Sequence, residues 1–290
     1  MNRPEVSVVT AVWDRYCSLL PGAVESVLSQ EGPAAEVVVV DNASRTPLPR
    51  LPDGAHVVQA PRRLSIGASR NIGLGHAAAP FVLFLDADDR LLPGALAHLH
   101  GEIAGRPDVV LAAGATLGWN AETDETARYG TMPLRRAYWL APYRRTFALA
   151  NLLTYLPPVT GAGLMRRDAA LAAGGFTDGE YGEDWGLAAA LAFHGRVVLT
   201  RTPVRIYRLE RGSLYFRRHP RSTVESALRA LRRHVREDGV VPAYAKALMP
   251  LVALGHRVKV RRLTPGGFED PTVLYLGGPH AAASGPEAGL

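Results

Sequence analysis

The sequence predicts an α/β fold built on a mostly parallel central sheet. One sign is a series of short apolar runs, Val6-Ser7-Val8-Val9-Thr10-Ala11-Val12, Glu36-Val37-Val38-Val39-Val40 and Phe81-Val82-Leu83-Phe84-Leu85. Such runs are too continuously apolar for strands wetted on one face and suit a sheet covered on both sides. A second sign is that helix-period segments fall between them, the rhythm of an α/β domain. A third is chemical, since acidic residues follow two of the runs at once. In open α/β sheets ligands bind at the carboxyl ends of strands.

Taken in order, the first run is rich in β-branched residues and reads as a strand, followed by a helix marked by Leu19, Leu20, Val24, Val27 and Leu28. The second run is a strand, and Ala55-His56-Val57-Val58 is a weaker third. Residues 65–78 read as a helix that Pro80 closes before the strand Phe81-Val82-Leu83-Phe84-Leu85. Another helix is expected over residues 93–104, with proline in its first turn, then the run Val109-Val110-Leu111-Ala112-Ala113. Over residues 114–160 the alternation lapses, and Trp119, Tyr138, Trp139 and Tyr143 collect among arginines and prolines. That is the character of a loop-rich, substrate-facing segment. Beyond it come a helix over residues 168–173 ending at Gly174-Gly175, a helix from Glu183, and strands at Val197-Val198-Leu199 and Val204-Arg205-Ile206-Tyr207. Residues 223–236 are amphipathic, residues 243–254 form a further helix, and the Gly, Ala and Pro-rich residues 277–290 are expected to be disordered.

A chain of 290 residues, 47% of them apolar, can bury one main core with a C-terminal extension. No basic region followed by an apolar segment and a cleavage site opens the sequence, and Cys17 is the single cysteine. A disulfide within the chain and a cysteine-rich zinc site are thereby excluded, and a cytoplasmic protein is expected. The uncharged stretch 146–165 is broken by Asn151, Thr154, Pro157, Pro158 and Thr160, so it is expected to line a cleft or the core and not to span a membrane. The net charge of +6 comes almost wholly from arginine, concentrated in residues 217–236 and 257–262. No nucleic-acid partner is expected. A solvated helix face accounts for this charge, and peripheral contact with a membrane through the extension is the functional alternative.

The clearest chemical signal is Asp86-Ala87-Asp88-Asp89, directly after the apolar strand. Residues two apart in an extended chain point the same way, so Asp86 and Asp88 can converge. Carboxylates so close repel unless a cation lies among them, and hard oxygen ligands suit Mg²⁺ or Mn²⁺. The alternative is that an aspartate caps a helix starting near Leu91. Asp41-Asn42-Ala43-Ser44 follows the second strand and suits either a nucleotide contact or a turn. Arg70, on the helix before the Asp86 strand, could reach a phosphate, hold the acids in place or lie at the surface. Gly73-Leu74-Gly75 stands before a strand, the wrong context for a dinucleotide fingerprint. Glu183-Asp184 opens a helix, where acids are favoured by the dipole, and one of the two could take a proton from a hydroxyl.

In their order and spacing these segments resemble glycosyltransferase family 2, over roughly residues 5–215. The resemblance rests on the opening strand, Val38 to Ser44, Gly67-Ala68-Ser69-Arg70-Asn71-Ile72-Gly73, Phe81 to Asp89, and Gly174-Gly175-Phe176 with Glu183-Asp184-Trp185. It implies a GT-A fold with a donor half over about residues 1–113 and an acceptor half over about 114–215; beyond the resemblance, the sequence pattern itself leaves a helical extension over 216–276 and the tail 277–290. It implies donor contacts at Thr10, Ala11, Val12, Asp41, Arg70, Asp86, Ala87 and Asp88, a Mn²⁺ or Mg²⁺ ion at Asp86 and Asp88, and a general base at Asp184, with Glu183 the competing candidate. The implied reaction moves one sugar, with inversion, from a nucleotide-diphosphate donor, UDP by preference, to a glycan, lipid-linked or small-molecule acceptor. Many members carry a histidine in the late strand; here Tyr207-Arg208-Leu209-Glu210 stands there, which leaves open whether Glu210 replaces it. The Gln-x-x-Arg-Trp motif of processive synthases is absent after Asp184, which favours single-sugar transfer. Two other readings compete. A sugar nucleotidyltransferase would normally show a glycine-rich basic loop after the first strand, where this chain has Thr10-Ala11-Val12-Trp13-Asp14-Arg15. A non-catalytic nucleotide-sugar-binding protein would have no need of acids at both the metal and base positions.

Overall fold

The structure is a computed structural model that describes residues 3–129, 161–178, 183–210 and 220–255. Its elements are β1 (Val6–Val12), α1 (Leu20–Leu28), β2 (Ala35–Asp41), β3 (Ala55–Gln59), α2 (Ile66–His76), β4 (Phe81–Phe84), β5 (Arg90–Leu91) and α3 (Ala95–Ile103). There follow β6 (Val109–Asn120), β7 (Glu125–Tyr129), β8 (Gly163–Arg166), α4 (Arg167–Ala172), α5 (Glu183–His194), β9 (Arg196–Leu209), α6 (Pro220–Glu237) and α7 (Ala243–Ala247).

The strands form one sheet in the order β3-β2-β1-β4-β8-β6-β9-β5, with β7 paired to β6. The first four are mutually parallel, as the sequence predicts. Beyond β4 the sheet is mixed: β8 runs antiparallel to both β4 and β6, while β6 and β9 are parallel. The apolar runs owe their continuity to burial on both sides. Val9, Val38, Val40 and Phe84 enter one core with α2, α5 and α6. Their neighbours Val8, Val37, Val39 and Leu83 enter the other, with α1 and α3. Successive side chains of a strand point to opposite faces, so both sets are apolar.

Three expectations change. Residues 114–129 are not loop-rich, because β6 continues to Asn120 and returns as the strand β7, with Asp124 at positive φ in the turn. The two late strands are a single one, β9, in which Pro203 falls at a register irregularity against Ala115 of β6. A proline costs least where the ladder is already interrupted. The helix expected near Leu91 is preceded by the short β5, and Gly94, in the left-handed region, precedes α3. The expected helix over residues 65–78 is Ile66–His76, and the Ser65 hydroxyl caps it by accepting from the Ala68 amide at 3.2 Å. Gly73 lets this helix lie on β1, since a Cβ there would run into Val9. Close packing is what that glycine provides.

The amphipathic stretch near the C-terminus is the helix α6, and Leu228, Leu231 and Val235 on it join the core that covers α5. Among the described residues no helix is long and apolar enough to cross a membrane. Tyr138, Trp139, Tyr143, the stretch 146–160, Arg257 to Arg262 and the tail 277–290 lie outside the described residues.

Candidate active site

Parallel pairing aligns the carboxyl ends of β1, β2 and β4. Val12 lies in register with Asp41, and Val9 with Phe84, so Thr10, Ala11, Val12, Asp41 and Asp86 share one edge of the sheet. The side chains of Thr10, Ala11 and Val12 are buried. Side chains open to solvent at this strand end belong instead to the following turn, which the sequence reading passed over. There Arg63 stacks 4.5 Å from the centre of the Trp13 ring, and Trp13 meets Tyr16 edge to face. Asp14 accepts a hydrogen bond from the Arg45 amide at 2.8 Å, which together with Arg63 holds its carboxyl below the usual range. This ties the loop after β1 to the loop after β2. Asp41 is buried and accepts from the Ser44 amide at 3.0 Å around Ala43, whose φ is positive. The turn expected as one of its two readings is therefore formed.

Arg70 is the centre of the site. It is buried to 6% exposure and donates to Asp86 Oδ1 at 2.6 Å and to Glu183 Oε1 at 2.8 Å. Burial works against its charge, but Asp86 and Glu183 more than offset this. Of the expected roles, holding the acids is the one the geometry displays. Burial also raises the Asp86 carboxyl, but the Arg70 guanidinium outweighs it and keeps the group below its ordinary value. Asp88, half-buried one residue past buried Ala87, is pushed up to about 6 by burial and the Asp86 charge, which Arg208 and Arg205 only partly offset. Glu183 is pushed up to about 7, by burial first and then by Asp184, against the pull of Arg70. Asp184 is half-buried, and its Oδ1 accepts from the Trp185 amide at 2.8 Å.

The third acid of the cluster serves the fold. Asp89 is 1% exposed and accepts from Arg205 at 3.1 Å and from the Arg208 amide at 3.0 Å. Burial pushes its carboxyl up, and Arg205 opposes this. No aspartate of the cluster caps α3, so the capping alternative falls. Arg205 also explains Gly161, where a Cβ would collide with its side chain. The contacts of Asp89 bring the end of β9 over the acids, and Glu210 there pairs with Arg208 at 3.4 Å and Arg15 at 3.5 Å. Tyr16 stands beside them, its phenol raised by burial and by Asp88. A charged residue inside the apolar run Val204-Arg205-Ile206 was the available signal for this buried pair.

The loop that follows α4 is held to α2 by a clasp. The side chain of Asn71 accepts from the Phe176 amide at 2.8 Å and donates to the Phe176 carbonyl at 2.7 Å. The Phe176 ring packs on Phe84 at 4.6 Å and lies 5.3 Å under Arg70. Gly67 is in contact with the Thr177 carbonyl, leaving no room for a side chain.

Whether this edge suits a divalent ion can be judged from its donors. Asp89 is consumed by Arg205, and one oxygen of Asp86 by Arg70, which leaves Asp88 and the second oxygen of Asp86. Among the described residues no group of three or more His, Cys, Asp or Glu side chains is placed to hold a metal. An Mg²⁺-like ion held by one or two carboxylates plus substrate phosphates fits such a pair, whereas an ion needing a full protein cage does not.

Known proteins share this fold. The chain overlays on the crystal structure of Staphylococcus aureus TarS residues 1–349 in complex with UDP-GlcNAc with a TM-score of 0.60, at 18% identity, covering 88% of this chain and 73% of that one. The UDP complex of the same protein gives a TM-score of 0.55 at 17% identity, covering 86% and 69%. The sequence model of glycosyl transferase family 2 matches residues 7–172, and the chain belongs to this family. It is 30% identical over 230 residues to the succinoglycan biosynthesis protein ExoO of Rhizobium meliloti strain 1021, covering 73% of this chain. The aligned region spans 62% of the length of that relative.

Proposed function

We propose that the chain is an inverting glycosyltransferase that moves one sugar from a UDP-sugar to an acceptor hydroxyl. The observation that carries this reading is the Arg70 bridge, which joins the acids at the end of β4 to the helix start bearing Asp184. Leaving-group stabilisation and proton removal then belong to one site. Asp86 and Asp88 would hold a Mn²⁺ or Mg²⁺ ion, which supplies neutralisation of the departing diphosphate. The acceptor oxygen bonds to the anomeric carbon as the bond from that carbon to the diphosphate oxygen breaks, and the acceptor proton passes to Asp184. Glu183 is occupied by Arg70 and buried, which supports Asp184 over it as the base. The paired Asp14, Asp41 and Trp13 turns supply the wall for the nucleoside. The UDP-GlcNAc and UDP complexes of TarS support the donor class, and the name of ExoO supports a glycan acceptor. Residues 1–215 would form the catalytic unit and α6 an extension packed on it, acting in the cytoplasm with the basic extension meeting an anionic membrane surface.

The test is incubation with a panel of UDP-sugars, Mn²⁺ and simple glycosides, followed by NMR of the anomeric proton of the product. Acceptor-dependent UDP release with the opposite anomeric configuration is expected. Pyrophosphate formation from a nucleoside triphosphate and a sugar phosphate would instead identify a nucleotidyltransferase.

A further inference from the structure

Arg70 can reach Asp86 and Glu183 together only in one orientation of its guanidinium, because the fork is flat and its donors point along fixed directions. The two ion pairs grip the edge of the fork. Its plane needs a support of its own, since an arginine side chain has several rotatable bonds and a bridging group must be locked by packing to hold a precise geometry. Phe176 offers that support. The Arg70 Cζ lies 5.3 Å from the centre of the Phe176 ring, within the range of a cation held over an aromatic face.

The ring is in turn fixed by its other neighbours. Phe176 is 2% exposed, and its ring meets Phe84 edge to face at 4.6 Å, with 85° between the planes. Its amide donates to the Asn71 side chain at 2.8 Å and its carbonyl accepts from the same side chain at 2.7 Å. Asn71 follows Arg70 directly on α2. Two consecutive residues thus carry the cation and the group that places a ring against it. Gly174 and Gly175 stand at positive φ, and a Cβ on Gly175 would run into the Asn71 side-chain oxygen, so the turn that delivers Phe176 needs glycine there. Filling the core requires none of this. Any apolar side chain of similar size would serve in the cluster that Phe176 joins, whereas supporting a guanidinium requires a flat aromatic face at a set angle.

We propose that Phe176 is a positioning residue of the transfer reaction, one that sets the plane of the Arg70 guanidinium and through it the placement of Asp86 and Glu183, with Asn71 holding Phe176 in place. The link to transfer rests on the glycosyltransferase reading. Neither Phe176 nor Asn71 touches the reacting atoms, so both act through Arg70 alone.

The test uses the full chain and Phe176→Leu, which keeps an apolar side chain and removes the aromatic face. Hydrogen exchange of the Arg70 side-chain N–H groups, followed by NMR, should be about tenfold faster in the variant, while the backbone amides of β1 keep their protection. A role in packing alone would move both sets together or neither. By calorimetry, UDP binding should weaken about tenfold with Mn²⁺ and stay unchanged in chelator, because Asp86 loses its fixed placement. Asn71→Asp, which keeps the shape but gives up the bond to the Phe176 carbonyl, should shift both readouts in the same direction, and it decides the matter if Phe176→Leu does not fold. Arg70 exchange and Mn²⁺-dependent UDP affinity equal to those of the parent in a folded variant would overturn the proposal. The exchange measurement is independent of transfer. A parent that transfers sugar while Arg70 is unchanged in the variants refutes only this inference, and a parent that transfers none refutes the catalytic reading whatever the exchange shows.

Discussion

Arg70 and Glu183 form a buried ion pair at 2.8 Å between residues 113 apart in the chain, and the same guanidinium holds Asp86 at 2.6 Å. Removing one member of such a set strands the others without a counter-charge. Arg70→Ala should therefore lower stability by about 3–5 kcal/mol in urea unfolding. Arg70→Lys keeps the charge but not the fork that reaches two carboxylates, and should fold with much reduced transfer. A fully active Arg70→Lys enzyme would show that the bridge does not organise the site.

Asp184→Asn preserves the shape of the side chain and removes its basicity. The transfer rate should fall about 10²–10⁴-fold while UDP affinity stays near that of the parent. Glu183→Gln should instead show first as lost stability, since it breaks the pair with Arg70. If Asp184→Asn turns over normally and Glu183→Gln does not, the base is Glu183.

Asp88 is half-buried, and Arg205 and Arg208 only partly offset the effect of burial and of Asp86 on it. Asp88→Ala should weaken UDP binding measured with Mn²⁺ far more than binding measured in chelator, by calorimetry. Equal weakening in both conditions would count against an ion at this position.

Gly67→Ala tests the seating of α2. The added methyl meets the Thr177 carbonyl, which must retreat. Overpacking of this kind costs about 1–3 kcal/mol. A thermal midpoint equal to that of the parent would show that the loop yields freely.

Asp238 is buried against His194 at 2.8 Å and accepts from the amides of Val240 and Val241. Burial would raise its carboxyl, but the bonds from His194 and Val240 outweigh this and hold it below its ordinary value of 3.8. A depressed pKa stabilises the fold above the unfolded value and loses that contribution as pH falls through the folded value. Asp238→Asn should thus be less stable by about 1–3 kcal/mol at neutral pH. The gap to the parent should narrow only below pH 3.8. A gap independent of pH would mean that the charge contributes nothing.

The edge formed by β1, β2 and β4 was legible in the sequence because its signals are local. Val37-Val38-Val39-Val40 and Phe81-Val82-Leu83-Phe84-Leu85 announce buried parallel strands within a few residues, and the acids stand directly behind them. Asp89 was not separable from Asp86 and Asp88, since its partner Arg205 lies 116 residues away, and the apolar setting of Arg205 marks that residue as buried without saying which acid it meets. The hairpin of β6 and β7 was missed for a related reason. Trp119 and Asn120 continue a strand whose register is set by β9, so pairing decides what local composition left unclear. Trp13 and Tyr16 were passed over because their meaning depends on Arg63, which a different loop supplies.

The Asp89 pair also bears on how the protein is made. As the chain leaves the ribosome, β1, β2 and β4 can pair among themselves, but the loop holding Asp86 and Asp88 cannot close until Arg205 and the Arg208 amide arrive. Until then Asp89 has to stay in water. Contacts of such long range slow folding, because loop entropy is lost before they form. Nascent chains stalled short of β9 would therefore carry β1, β2 and β4 already paired while the loop of Asp86, Asp88 and Asp89 is still open.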